Sequence, residues 1–228
     1  MDAQGAREIF DRNAVNYDWV NSIISLGLDK SWRRWVAKQA TEGPGMRILD
    51  AFSGTGLVAL EEAAMGADVT AADISPQMLS IASGRAERRG ISIDIKLVDL
   101  TGDHLPLEEE YFDAITLVFG IRYLKNPAVT ISKLSSFLKP DGRLIALEFI
   151  MPASGFIPTL ASLYFFRILP RIGSLLAGRR ELYDYLISST SALGHKENLL
   201  KIISSAGLNI IETELFGFGL VCGVIATK

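Results

Sequence analysis

Three acids and two glycines carry the chemistry that can be read first. Asp50 ends the apolar run "RILD", Asp73 ends "ADVTAAD", and Asp99 ends "ISIDIKLVD". Just after Asp50 comes "AFSGTG", in which Gly54 and Gly56, with Thr55 between them, let the backbone turn sharply and approach a ligand closely. The stretch Gly54-Thr55-Gly56-Leu57-Val58-Ala59 passes a relaxed dinucleotide pattern, which by itself is weak. Asp50 argues against a dinucleotide. A carboxylate at the mouth of the loop repels a pyrophosphate and suits a ligand that carries an ammonium and a sulfonium. S-adenosylmethionine is such a ligand. Asp73 is placed to take two ribose hydroxyls under either reading. Asp99 is placed to accept from an adenine amino group, with Ile74 and Leu100 on the ring faces. The alternative for each acid is a solvated strand end.

The elements that must position these residues alternate. Residues 6 to 40 read as helices, with Leu28, Trp32, Trp35 and Val36 sharing one face. A strand is predicted at "MRILDAF", a helix near 55–66, a strand at 67–73, and a helix capped by Ser75-Pro76 that turns Met78 inward. Further strands are predicted at 91–99, 111–120 and "RLIALEFI", with a helix over 127–138 that ends in a "KPDGR" turn. A helix over 195–206 precedes two strands joined by "GFG", which implies an antiparallel pair. This rhythm implies right-handed crossovers and a mostly parallel sheet, with ligands at the strands' carboxyl ends. Residues 151–194 break the alternation and read as an insertion that sets substrate specificity.

Composition excludes several classes. The 228 residues suffice for one α/β domain, and a net charge of −3 offers no field for nucleic acid. One cysteine, Cys222, and two histidines give no internal disulfide and no metal cluster, which fits a reducing, cytoplasmic setting. The N-terminal "MDAQGAREIFDRN" is not a signal peptide, and no apolar run reaches the roughly 18 residues of a membrane span.

Seven segments in order, "YDWVNSIISLGLDKSWRRW", "LDAFSGTG", "ADISPQML", "FDAITLVFGIRY", "LKPDGRLIALEF", "LPRIGSL" and "YDYLISS", resemble the ubiquinone/menaquinone biosynthesis C-methyltransferases over nearly the whole chain. The resemblance implies a Rossmann-like class I methyltransferase: one α/β domain over 1–228, a seven-stranded sheet with an antiparallel last strand, and helices on both faces. Within it, 1–42 form an N-terminal helical cap, 43–150 the cofactor-binding core, 151–194 a substrate lid, and 195–228 the last helix and strand pair. It implies methyl transfer from S-adenosylmethionine to a ring carbon of a prenylated quinol, with demethylmenaquinol as the named candidate. The alternatives are a methyltransferase redeployed to another aromatic or lipid acceptor, by O- or N-methylation, and a non-catalytic cofactor-binding subunit. Three positions depart from the family: Tyr123 replaces an asparagine, Leu57 an acid after the glycine turn, and Val118 a small polar residue.

A phenol ring is a good carbon nucleophile only as phenolate. Arg122, which matches the family's "FGIRN" arginine, can stabilise that charge but cannot act as a base. Tyr123 and Glu148 join it as catalytic candidates. Tyr17 and Asn21 lie on the N-terminal helices expected to close over the cofactor, and Val118 bears on how it is held. Phe119, Tyr164, Tyr183 and Tyr185 are expected on the acceptor's side. The segment "FIPTLASLYFFRIL" is apolar nearly all round, with Arg167, Arg171, Arg179 and Arg180 in or after it, which suggests a buried helix or a lid touching anionic lipid. The expected partners are a lipophilic acceptor, a membrane surface met peripherally through 155–180, and a second copy in a homodimer.

Overall fold

The computed structural model describes residues 3–153, 163 and 180–228. Helices α1 (Ala3–Ile24) and α2 (Asp29–Ala40) come first. Then follow β1 (Arg47–Ala51), α3 (Leu57–Ala64), β2 (Asp68–Asp73), α4 (Pro76–Arg89), β3 (Asp94–Leu97), β4 (Phe112–Val118), α5 (Pro127–Ser135) and β5 (Leu138–Phe149). The chain closes with α6 (Arg180–Leu193), α7 (Lys196–Ser205), β6 (Asn209–Phe216) and β7 (Val221–Thr227). The seven strands form one sheet in the order β3-β2-β1-β4-β5-β7-β6, and β7 runs antiparallel to both neighbours.

The expected architecture is present, and its cause is local. Beyond Arg47, every residue of β1 is buried, as a strand covered on both faces requires. One face of the sheet packs Ile131 and Leu134 of α5 and Leu199 and Ile203 of α7 against Leu117 and Leu144. The other packs Trp32 and Val36 of α2 and Val58 and Ala59 of α3 against Ile48, Ile145 and Leu147. α4 starts as its sequence dictates. The Ser75 Oγ accepts from the Met78 N–H at 3.1 Å, Pro76 takes the first turn, and Gly90 ends the helix at φ 63°.

Two elements differ from expectation. β3 spans Asp94–Leu97 only, because it is an edge strand paired to β2 alone. The "KPDGR" turn lies within β5 rather than before it, as an irregularity that shifts the pairing between Phe112 and Ala114. Asp141 sits at its apex with φ 63°. No helix among the described residues is long and apolar enough to cross a membrane. Most of the segment 151–194, including Tyr164 and the arginines before residue 180, lies outside the described residues.

Candidate active site

The strand order reverses between β1 and β4, so their carboxyl ends diverge and leave a crevice. A cavity of about 450 Å³ opens there, within the range of small-molecule sites. Phe52 and Phe119 flank it just beyond the two strands, both non-glycine residues in the left-handed region with φ 57°. Such backbone costs on the order of 1–3 kcal/mol, and it concentrates at functional sites.

The glycine turn between β1 and α3 is held by the acid of the neighbouring strand. The Gly54 N–H donates to Asp73 Oδ2 at 2.8 Å, and the Ser75 N–H donates to Asp73 Oδ1 at 2.8 Å. One carboxylate thus fixes both the loop after β1 and the start of α4, and keeps lone pairs toward the cavity. Burial pushes its carboxyl up, while N–H groups of Ser75, Gly54 and Ile74 pull it down. Gly56 precedes α3 with φ 73°, and a Cβ there would lie 2.7 Å from the Ala82 Cβ. Gly56→Ala is therefore expected to cost about 2 kcal/mol of stability through strain and overlap with α4. Urea unfolding measures this, and a variant within 0.5 kcal/mol (roughly the ordinary surface range) of the parent would contradict it.

Asp50 is almost fully buried at the cavity floor. Its Oδ2 accepts from the Ala59 N–H at 3.1 Å and its Oδ1 from the Thr116 hydroxyl at 3.2 Å. Burial, more than any neighbour, pushes its carboxyl up to about 7. Asp99 lines the cavity and folds the following turn, accepting from both the Thr101 N–H at 2.9 Å and the Thr101 hydroxyl at 2.6 Å.

Helix α1 closes one side, through residues that the sequence reading did not single out. Thr55 Oγ1 donates to Asp18 Oδ1 at 2.8 Å, and Arg85 of α4 pairs with Asp18 Oδ2 at 2.5 Å while donating to the Thr55 carbonyl at 3.1 Å. One side turn away, the Ser75 hydroxyl donates to Asp11. Asp11 and Asp18 stand seven apart and so share a helix face. Asp18 is the acid of the quoted "YD" segment, and its spacing from Asp11 is the signal that could have found them. Phe10, Asn21 and Arg33 also reach the wall.

The far wall is aromatic. Tyr123 stacks on Tyr185 of α6 with ring centroids 5.2 Å apart and meets the edge of Phe10 at 5.2 Å. Arg122 Nη1 pairs with Glu148, Arg122 Nη2 donates to the Tyr123 hydroxyl at 2.7 Å, and the Arg122 and Phe149 N–H groups donate to Glu148 at 3.2 and 2.8 Å. The guanidinium also lies over Tyr123, at 4.4 Å from the ring centroid. Burial pushes the Tyr123 phenol above its ordinary value, so this hydroxyl remains a donor.

The cavity brings together Asp50, Gly54, Thr55, Asp73, Ile74 and Met78 on the cradle side. Asn21, Asp99, Val118, Phe119 and Tyr123 complete the wall, and Leu57 lines it as well. Other expected residues stand behind it. Gly56 shapes the turn without lining it. Leu100, expected on the adenine face, is 1% exposed and packs into the core with Leu117 and Ile131. Arg122 and Glu148, expected to face the acceptor, face each other with side chains 3% and 0% exposed. An unpaired charge at such depth costs several kcal/mol, so each is held by the other. Tyr185 reaches the site through Tyr123. The side chains of Tyr17 and Tyr183 lie outside those described.

A seven-stranded sheet of this order, with a glycine turn after β1 and an acid ending β2, defines a class I S-adenosylmethionine-dependent methyltransferase. The fold matches magnesium protoporphyrin IX methyltransferase from Synechocystis with bound SAH at a TM-score of 0.68 and 20% identity, covering 100% of both chains. More particularly, the chain belongs to the ubiE/COQ5 methyltransferase family, which it matches over residues 1–228. It is 37% identical over 214 residues to the demethylmenaquinone methyltransferase of Thermus thermophilus, covering 93% of this chain and 96% of that protein. It is 31% identical over 216 residues to the ubiquinone/menaquinone biosynthesis C-methyltransferase UbiE of Shewanella pealeana, covering 93% and 86%. The protein is thus an S-adenosylmethionine-dependent methyltransferase. Its polar cradle fits that cofactor: acids at the ends of β1 and β2 and at Asp99 can face an ammonium, ribose hydroxyls and an adenine amino group.

Proposed function

We propose that the enzyme places its methyl group on a ring carbon of a lipophilic quinol of the demethylmenaquinol type. The observation that carries this reading is the Tyr123 hydroxyl, held by Arg122 on the wall of the cavity whose floor is the Asp73 and Asp50 cradle. The names of the family's members supply the acceptor class. S-adenosylmethionine, when bound, supplies the methyl group. Asp73 holds the ribose, Asp99 takes the adenine amino group, and Asp50 faces the ammonium. Fixing two reactants in line is worth roughly 7–11 kcal/mol of barrier. Because Tyr123 accepts from Arg122, its own proton is free to point at the acceptor's ring oxygen and stabilise phenolate there, the phenol proton leaving to solvent before transfer and the ring-carbon proton after it. Phe10, Phe52 and Phe119 offer flat apolar surface to a fused ring. The tyrosine that departs from the family pattern therefore serves the same chemistry. The segment 151–194 is assigned to cover the prenyl tail, and 155–180 to meet the membrane from which such an acceptor comes.

The test uses methyl-labelled cofactor and vesicles carrying a prenylated demethylnaphthoquinol. Label on the ring carbon supports the reading, and label on oxygen overturns it. Tyr123→Phe is expected to lower kcat about 100-fold, as loss of one oxyanion donor does, while cofactor affinity is kept. A kcat within threefold of the parent (about 0.7 kcal/mol) removes Tyr123 from the chemistry.

A further inference from the structure

Glu62 of α3 lies behind the cradle, and the proposed reaction does not use it. It is 0% exposed, and both carboxyl oxygens lack a hydrogen-bond partner. It lies on the helix face that carries Val58 and Ala59 against the sheet, beside Asp50 and Thr116. Thr116 and Asp50 are register partners on β4 and β1, and the Thr116 hydroxyl donates to Asp50 Oδ1. Three acids therefore converge from three elements: Glu62 on α3, Asp50 on β1 and Asp73 on β2. Two of the cations near the cavity are paired elsewhere, Arg85 with Asp18 and Arg33 with Asp29.

Adjacent buried carboxyls without a cation between them do not all ionise, because like charges in a low dielectric repel and each loses its hydration. Asp50 has an N–H and a hydroxyl donating to it, which favour its charged form. Glu62 has neither. We propose that Glu62 is a positioning residue that stays protonated behind Asp50, and that Asp50 alone gives up a proton to solvent when the cofactor's ammonium binds. The neutral Glu62 keeps water and a second charge away from Asp50. The order of the two carboxyls agrees: burial and the Asp50 charge push Glu62 well above the ordinary range, while Asp50 stands at about 7. An ammonium beside Asp50 favours its ionised form and lowers that value. Well above pH 7 Asp50 is already ionised and binding releases little. Below pH 7 binding must expel the proton, so affinity falls with pH. This inference rests on Asp50 as the partner of the cofactor's ammonium.

The experiment is calorimetric titration of the full chain with S-adenosylhomocysteine, which keeps the ammonium without the sulfonium, in buffers of different ionisation enthalpy. Binding is expected to release more of a proton at pH 6 than at pH 8, and to be on the order of tenfold weaker at pH 6 than at pH 8. Release of no proton at pH 6 overturns the proposal. Glu62→Gln, a neutral group of the same shape, is expected to keep this release profile. Glu62→Ala, which admits water, is expected to move its midpoint toward acid by about one pH unit or more. A midpoint that moves as far in Glu62→Gln means Glu62 carries charge, and overturns its part. Asp50→Asn separates the two levels. If it leaves affinity unchanged, Asp50 does not meet the ammonium and the underlying reading fails. If it weakens binding while the parent releases no proton, only the proposal fails.

Discussion

Asp73→Ala is expected to weaken cofactor binding by at least about 100-fold, the largest binding defect of any single change in the site. The magnitude follows from what one carboxylate does. It accepts the Gly54 and Ser75 N–H groups at 2.8 Å each, and so holds the glycine turn and the start of α4 in one frame. It is also the acceptor proposed for the ribose hydroxyls. Hydrogen bonds to a charged group contribute about 1.5–3 kcal/mol each, so losing two to the ligand removes about 3–6 kcal/mol, before any loosening of the turn. Calorimetric titration of the variant with S-adenosylhomocysteine reads the effect directly. Asp73→Asn, which can accept but carries no charge, should fall between the two. Affinity within threefold of the parent (about 0.7 kcal/mol) in the alanine variant would remove Asp73 from the binding site.

Glu148→Ala is expected to cost about 3–5 kcal/mol of stability, the largest effect on folding. Glu148 is fully buried at the end of β5 and accepts from Arg122 twice and from the Phe149 N–H. Removing it takes the carboxylate that pairs with the buried guanidinium away from among Phe119, Tyr123 and Phe149. Urea unfolding measures the loss. The double variant Arg122→Met/Glu148→Leu should recover most of it, because an apolar pair replaces the ion pair without leaving a charge behind. Recovered stability should not bring recovered turnover, since Tyr123 then lacks the donor that orients its hydroxyl. A single variant as stable as the parent would show that water reaches Arg122, against the burial seen here.

The glycine turn, the acids ending β1 and β2, and the strand and helix rhythm were legible because each is encoded within a few residues. An apolar run ending in an acid, a glycine that permits positive φ, and Ser75-Pro76 at a helix start act on their own backbone. The resemblance added the class of reaction from the order of seven such segments. What sequence did not disclose are the contacts between distant elements. Asp11 meets Ser75 across 64 positions and Asp18 meets Arg85 across 67. No periodicity in α1 names those partners. Arg122 and Glu148 were legible as chemistry but read as facing a ligand. Only packing of β4 beside β5 turns them toward each other, because charge taken from water must find opposite charge. Glu62 reads as an ordinary helix acid until α3 is laid on β1 and β4. By itself the sequence determined the fold, the cofactor cradle and the family, through local geometry and hydrophobic period. Which side chains face the ligand, which face one another, and which acid keeps its proton were decided by the tertiary structure, since burial sets the cost of charge.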